Sequence, residues 1–184
     1  MNLVKSLIIL LVIAVIGIFA SVHFAPFETA SCLVDIKRNI AGLERKTISL
    51  ADGNQYVYLE GGKGETLVLL HGFGADKDNF TEVAPYLTGD FHVFAPDHIG
   101  FGESSKPRNA DYSAIAQAQR IHELVARLGL DRFHLGGSSM GGHIAMTYAA
   151  MYPHEVKSLW LLDPGGVWSA PESEMRQIIA KTGV

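Results

Sequence analysis

The sequence has 184 residues, of which 48% are hydrophobic and 18% charged, and its formal net charge is −4 at pH 7. This length favours a single domain, and the negative charge, without any Lys/Arg-rich run, argues against binding to nucleic acid. The one cysteine, Cys32, excludes an intrachain disulfide framework. No pattern of residues indicates a bound metal or a cofactor.

The first predicted element is an uncharged apolar segment. Residues 6–22 contain no charged side chain and are rich in Leu, Ile and Val, and a run of about 17 residues can cross the hydrocarbon core of a bilayer. We therefore expect a single-pass membrane anchor over residues 1–24. A cleaved signal peptide and a buried core helix are the alternatives. Lipidation of Cys32 is a third alternative, although Thr29 stands where lipoprotein cleavage sites usually have an aliphatic residue.

Residues 25–45 are expected to form a juxtamembrane segment that is helical around residues 31–39. The Lys and Arg residues on the two sides of the apolar run are nearly balanced in number. The topology is therefore only weakly specified, with a lean toward a domain outside the cytoplasm.

From Lys46 onward, short apolar runs alternate with longer helical patterns. Asp52-Gly53 lies between two strand-like runs and predicts a hairpin. The predicted strands are 47–50, 55–59, 66–70, 91–95, 132–136 and 156–162, and the predicted helices are 79–87, 113–128 and 140–152. This alternation predicts an α/β core over residues 46–164, with a mostly parallel sheet and helices on both faces. In such sheets the ligand site lies at the carboxyl ends of the strands.

One loop at these strand ends carries the pattern of a nucleophile elbow. Gly137-x-Ser139-x-Gly141 stands directly between a predicted strand and a predicted helix. The sharp turn strains the backbone at the serine, and glycine on each side removes collisions with neighbouring backbone. The helix N-terminus favours negative charge that develops at the serine. The pattern predicts Ser139 as a nucleophile, and a glycine-rich turn with a capping serine is the alternative.

A second loop reads His71-Gly72-Phe73-Gly74 after a buried strand. The backbone N–H groups of Phe73 and Met140 are the predicted oxyanion donors. His71 and Gly72 support the motif, and the side chain of His71 is expected to order the loop without taking part in catalysis. The loop over residues 97–104 is expected to be scaffold.

Together these motifs resemble the α/β-hydrolase family over residues 46–170. The segments 71–78 and 137–142 look most like the monoacylglycerol lipase and bacterial lipase branch, which includes members with an N-terminal membrane anchor. The resemblance implies hydrolysis of carboxylic esters, with acylglycerols such as monoacylglycerols as substrates, through a serine acyl-enzyme. The implied partners are a lipid or small ester substrate and the membrane through residues 6–22.

The resemblance also implies a catalytic acid and a histidine after the serine. His154 would lie about 20 Å away along its helix, and His143 would have to reach back along its own helix. Asp163 is a candidate acid, although the resemblance more often implies a structural residue there. Residues 165–184 resemble the start of a helical cap, so we expect an N-terminal fragment that ends before the last strands and has little activity alone.

Two other functions remain open at this point. The Ser-Met-Gly-Gly elbow is similar to that of hydrolases that cleave carbon–carbon bonds in aromatic ring-cleavage products. A non-catalytic hydrolase-like binding module is the second alternative. Dehalogenase and epoxide hydrolase chemistry is disfavoured, because those branches use an aspartate nucleophile where this sequence has Ser139.

Overall fold

The computed structural model describes residues 3–166. These residues form two compact units that divide between Ile40 and Ala41. The predicted start of the cap over residues 165–184, with Trp168 and Pro171, lies outside the described residues apart from Gly165 and Gly166.

The first unit consists of helices α1 (Leu3–Phe24) and α2 (Pro26–Ile40). Helix α1 has a mean hydropathy of 2.9 over its most apolar window and is long enough to cross a membrane. Helical hydrogen bonding continues through the junction, from Ala25 N to Ser21 O at 2.9 Å and from Thr29 N to Ala25 O at 3.0 Å. Helix α2 is longer than the predicted helix around residues 31–39, because a proline is well tolerated at the first position of a helix.

The second unit contains a six-stranded sheet with the order β1-β2-β4-β3-β5-β6. Strands β1, β2 and β4 pair antiparallel, whereas β4, β3, β5 and β6 are parallel. The strands are β1 (Leu43–Ser49), β2 (Gln55–Gly62), β3 (Glu65–Leu70), β4 (Phe91–Pro96), β5 (Phe133–Ser138) and β6 (Val156–Leu162). The predicted α/β class with an opening hairpin is thus confirmed.

Strand β1 begins inside the range 25–45 that was expected to be juxtamembrane. Leu43 is buried and pairs with Gly61. The charged run Glu44-Arg45-Lys46 hides this start, since alternating burial on an edge strand leaves no continuous apolar run.

Helices α3 (Ala114–Arg127) and α4 (Met140–Met151) agree with their predictions within two residues at each end. The Ser113 side chain caps α3 by accepting a hydrogen bond from Ala116 N. The predicted helix over residues 79–87 is wrong. Two 3-10 turns, Lys77–Phe80 and Ala84–Tyr86, occupy this region, because Pro85 has no N–H to continue a helical ladder.

The central strands bury both of their faces. Side chains alternate along β3, so that Val68 and Leu70 join the core under α3 and α4, whereas Leu67 and Leu69 join the core on the opposite face. The 3-10 turns supply Phe80 and Ala84 to this second core. This two-sided burial fixes the level at which the carboxyl ends of β3, β4 and β5 meet.

A matched pair of substitutions on α3 tests this packing. Ile121 is fully buried under the sheet, whereas Ile115 is 58% exposed on the same helix. We expect Ile121→Ala to lower the free energy of unfolding by about 2–5 kcal/mol, because it leaves a cavity. Ile115→Ala should change it by no more than about 0.5 kcal/mol. Urea unfolding followed by circular dichroism measures both, and equal losses would contradict this placement of α3.

Candidate active site

Ser139 is the single residue between the end of β5 and the start of α4. Its φ is 51° and its ψ is −116°, a conformation that is costly for a residue with a Cβ atom. Three hydrogen bonds hold it: Ser139 N donates to Leu162 O at 3.0 Å, and Ser139 O accepts from His143 N at 3.1 Å and from Gly165 N at 2.9 Å. The exposed side chain therefore sits on a backbone that β6 and the first turn of α4 fix in place.

The flanking glycines make this turn sterically possible. A Cβ atom at Gly137 would collide with the carbonyl group of Gly141, and one at Gly141 would collide with the carbonyl oxygens of Leu70 and His71. Gly142 is equally confined, since its Cβ would lie 2.7 Å from Pro164 Cβ. The predicted reason for the glycines, close approach of backbone to backbone, agrees with this geometry.

The loop after β3 lies against the serine. A Cβ atom at Gly72 would be 3.3 Å from Ser139 Cβ and 3.9 Å from Ser139 Oγ. Phe73 follows, with its side chain 80% exposed and in edge contact with Phe101 at 5.7 Å between ring centroids. Within residues 3–166, neither Phe73 N nor Met140 N donates a hydrogen bond. The structure thus gathers Ser139 and both predicted oxyanion donors at one edge of the sheet.

His71 is fully buried and pairs with His98, a buried residue that was not predicted to contact it. His71 Nε2 accepts a hydrogen bond from His98 N at 3.1 Å, so its proton resides on Nδ1, which donates to Gly72 O at 2.8 Å. His98 Nε2 donates back to His71 O at 3.2 Å. Burial lowers the pKa of both rings, and for His98 burial followed by the adjacent His71 lowers the pKa to about 3. The pair is neutral, and its hydrogen bonds join the loop after β3 to the loop after β4.

A buried ionic network lies beneath the same loop. Asp97 is fully buried, and its Oδ1 accepts from Lys77 N at 2.6 Å. Its Oδ2 accepts from Lys77 Nζ at 3.0 Å and from Glu103 N at 2.7 Å. A Cβ at Gly102, where φ is +49°, would collide with the Asp97 carboxylate, so glycine lets the chain wrap around it. The loop over residues 97–104 thus wraps around a charged centre, and its role as scaffold stays a prediction.

The charges of this network balance each other. Burial alone would lower the pKa of Lys77, but hydrogen bonds to Glu103 and Asp97 raise it above its ordinary value. The pKa of Glu103 is lowered to about 2. The largest cause is the hydrogen bond from Arg45, whose Nη2 lies 2.6 Å from Glu103 Oε2, and Lys77 adds to it. This network was not predicted, because its members are distant along the chain, although Lys77 between Asp76 and Asp78 was a visible signal.

Within residues 3–166, the side chains of the remaining candidates make no hydrogen bond to the Ser139 side chain. Asp163 is exposed after β6, with a φ of 46°, and its side chain makes no hydrogen bond within residues 3–166. His143 is exposed one turn into α4, beside Gly166. His154 is exposed beyond the far end of α4. No histidine of the described part of the chain hydrogen-bonds to the Ser139 side chain.

The buried histidine pair predicts loss of stability in acid. Because the pKa of His98 is lowered to about 3, the unfolded chain binds a proton that the folded chain does not, from about pH 6.5 downward. The free energy of unfolding should therefore fall by about 1.4 kcal/mol per pH unit for His98 well inside this window. Urea titrations between pH 8 and pH 5 measure the slope.

The controls for this prediction are two glutamine variants. His98→Gln removes the titrating ring and should flatten the dependence, whereas His154→Gln, at an exposed site, should retain it. The same slope in His98→Gln and the unaltered protein would contradict the assignment.

Comparison with known proteins identifies the fold family. The sequence pattern of the alpha/beta hydrolase fold matches residues 65–182. Lipase 1 of Psychrobacter immobilis is 47% identical over 161 residues, which cover 86% of this chain and 50% of that protein. Monoacylglycerol lipase ABHD6 of Mus musculus is 40% identical over 108 residues, covering 58% of this chain and 32% of that protein. The chain spans about half the length of the two bacterial lipases that match most of it.

Solved structures agree with the sequence relatives. The crystal structure of a membrane phospholipase A, described as a bacterial virulence factor, superposes with a TM-score of 0.80 at 40% identity. It covers 97% of this chain and 58% of the other chain. The sheet order, the elbow and the match over more than half of the sequence confirm the predicted resemblance: the chain belongs to the α/β-hydrolase fold family.

Proposed function

We propose that the whole protein is a lipase that hydrolyses carboxylic esters, acylglycerols foremost, through Ser139. The observation that carries the proposal is the exposed Ser139 side chain, held in a strained turn beside two backbone N–H groups that have no partner within residues 3–166. Support for the substrate class comes from relatives that are named lipases and monoacylglycerol lipases.

In the proposed reaction, Ser139 Oγ attacks the ester carbonyl carbon while a general base takes the hydroxyl proton. The N–H groups of Phe73 and Met140 then stabilise the negative charge on the carbonyl oxygen. The carbon–oxygen bond to the alcohol breaks, the alcohol leaves with the proton, and an acyl-enzyme remains for water to hydrolyse. Asp163 stays a candidate acid. The proposal does not assign the general base to any residue of the described part of the chain.

The backbone donors account for a large part of the expected catalysis. Met140 N is at the first turn of α4, where the helix leaves N–H groups without internal partners. Phe73 N lies in the loop after β3, which approaches Ser139 closely because Gly72 has no side chain. Loss of one such donor typically costs about 100- to 1000-fold in turnover, so small displacements of this loop should be visible in kcat.

The nucleophile is tested with a fluorophosphonate probe on the whole protein encoded by the gene. We expect the probe to label one serine and Ser139→Ala to remove both labelling and ester hydrolysis. Ser138→Ala changes the neighbouring residue of β5 and should retain both. Labelling that persists in Ser139→Ala would overturn the assignment. No labelling of the unaltered protein would favour a non-catalytic module, and cleavage of ring-cleavage products without esters would favour the carbon–carbon hydrolase.

We also propose that α1 anchors the protein in a membrane as a single span, with the second unit outside the cytoplasm. Support comes from the 22-residue apolar helix, whose most apolar window has no buried residue. Cys32 gives a direct test, because it is exposed and is the only cysteine in the sequence.

A membrane-impermeant maleimide should label Cys32 in right-side-out membrane vesicles that carry the 184-residue chain. The chain should also resist extraction with alkaline carbonate. Cys32→Ser is the labelling control. Labelling only after detergent would place Cys32 on the cytoplasmic side, and release by carbonate would contradict the anchor.

A further inference from the structure

Lys77 is the buried charged side chain nearest in sequence to the predicted oxyanion donor Phe73. It opens the 3-10 turn Lys77–Phe80, and its side chain is 1% exposed. A lysine is rarely buried this completely unless its ammonium group is paired. The partners of Lys77 therefore indicate what the loop gains from this residue.

Both ends of the Lys77 residue bind the same carboxylate. Its backbone N–H and its ammonium group donate to the two oxygens of Asp97, at 2.6 and 3.0 Å. The ammonium group also donates to Glu103 Oε1 at 2.7 Å and lies 3.6 Å from Asp78 Oδ2. Lys77 thus fixes the C-terminal end of the loop after β3 to the segment over residues 97–103.

The N-terminal end of the loop is fixed to the same segment. His71 accepts from His98 N, and His98 Nε2 donates to His71 O. Only residues 72–76 lie between these two attachments. A turn from Ala75 N to Gly72 O at 3.3 Å, with Gly74 at a φ of +73°, closes this short stretch. The position of Phe73 therefore depends on both attachments.

We propose that Lys77 is a positioning residue that holds the Phe73 backbone N–H toward the oxyanion, and this rests on the function proposed above. A buried ion pair is weak evidence for stability, because desolvation of the charges offsets much of their attraction. Geometry, in contrast, is sensitive: a misplacement of about 1 Å can cost about 100-fold in rate. Lys77 and Asp97 act through Phe73 and do not touch the substrate.

The test compares three variants of the whole protein on a soluble short-chain ester. Lys77→Met keeps the length of the side chain and removes its charge, Lys77→Arg keeps the charge, and Lys63→Met is an exposed control. We expect Lys77→Met to lower kcat by about 10- to 100-fold with KM within about twofold, because the donor acts in the transition state. Lys77→Arg should recover part of kcat, and Lys63→Met should match the unaltered protein.

Thermal unfolding separates positioning from loss of fold. A folded Lys77→Met protein with the kcat of the unaltered protein would overturn the inference, and so would a Lys77→Arg protein that is folded and as slow as Lys77→Met. If Lys77→Met does not fold, Glu103→Gln takes its place, because that side chain is 44% exposed and is one of the partners of Lys77. It should lower kcat at constant KM, and an unchanged kcat would overturn the inference.

The two proposals fail in different ways. If the unaltered protein and Lys63→Met hydrolyse esters in a Ser139-dependent manner while the Lys77 variants are equally fast, only the role of Lys77 is wrong. If the unaltered protein shows no hydrolysis that depends on Ser139, the proposed function is wrong and the role of Lys77 fails with it.

Discussion

The first turn of α4 and the end of β3 approach each other so closely that position 141 has no room for a side chain. Gly141 lies against the Leu70 carbonyl, and Gly137 lies against Gly141 itself. This contact locks β3, β5 and α4 together, and it leaves Ser139 as the residue that must adopt the strained backbone conformation. The placement of Ser139 at the strand ends and the nearness of Gly72 to it both depend on this close approach.

Two neighbouring loops solve the problem of buried polar groups in opposite ways. His71 and His98 remain neutral and satisfy backbone groups of each other's loops. Lys77 and Asp97 remain charged and compensate each other. Both solutions join the loop after β3 to the loop after β4, where irregular backbone would otherwise be free to move. The surroundings of Ser139 are therefore more rigid than loop composition alone suggests.

The sequence predicted what depends on residue type at short range. Buried strands such as β3 appear as apolar runs, and the elbow appears because close backbone approach admits only glycine at positions 137 and 141. Prediction from the sequence failed where the structure of a residue depends on another residue that is distant along the chain. Leu43 lies in a strand because it pairs with Gly61. The predicted helix over residues 79–87 failed for a local reason, because Pro85 interrupts it and two 3-10 turns form instead. The His71–His98 and Lys77–Asp97 pairs form only when separate loops meet, so the sequence does not show which residues pair, although Lys77 stands between two aspartates.

The junction at Pro26 has a consequence for the depth of α1. Proline has no N–H, so the Val22 carbonyl lacks the donor that the next turn of a continuous helix would supply. In hydrocarbon an unsatisfied carbonyl costs several kcal/mol, on the order of one hydrogen bond or more, whereas interfacial water can donate to it freely. If α1 spans a membrane as proposed, a position in which Val22 reaches the headgroup region is favoured, because water there can supply the hydrogen bond that Pro26 cannot.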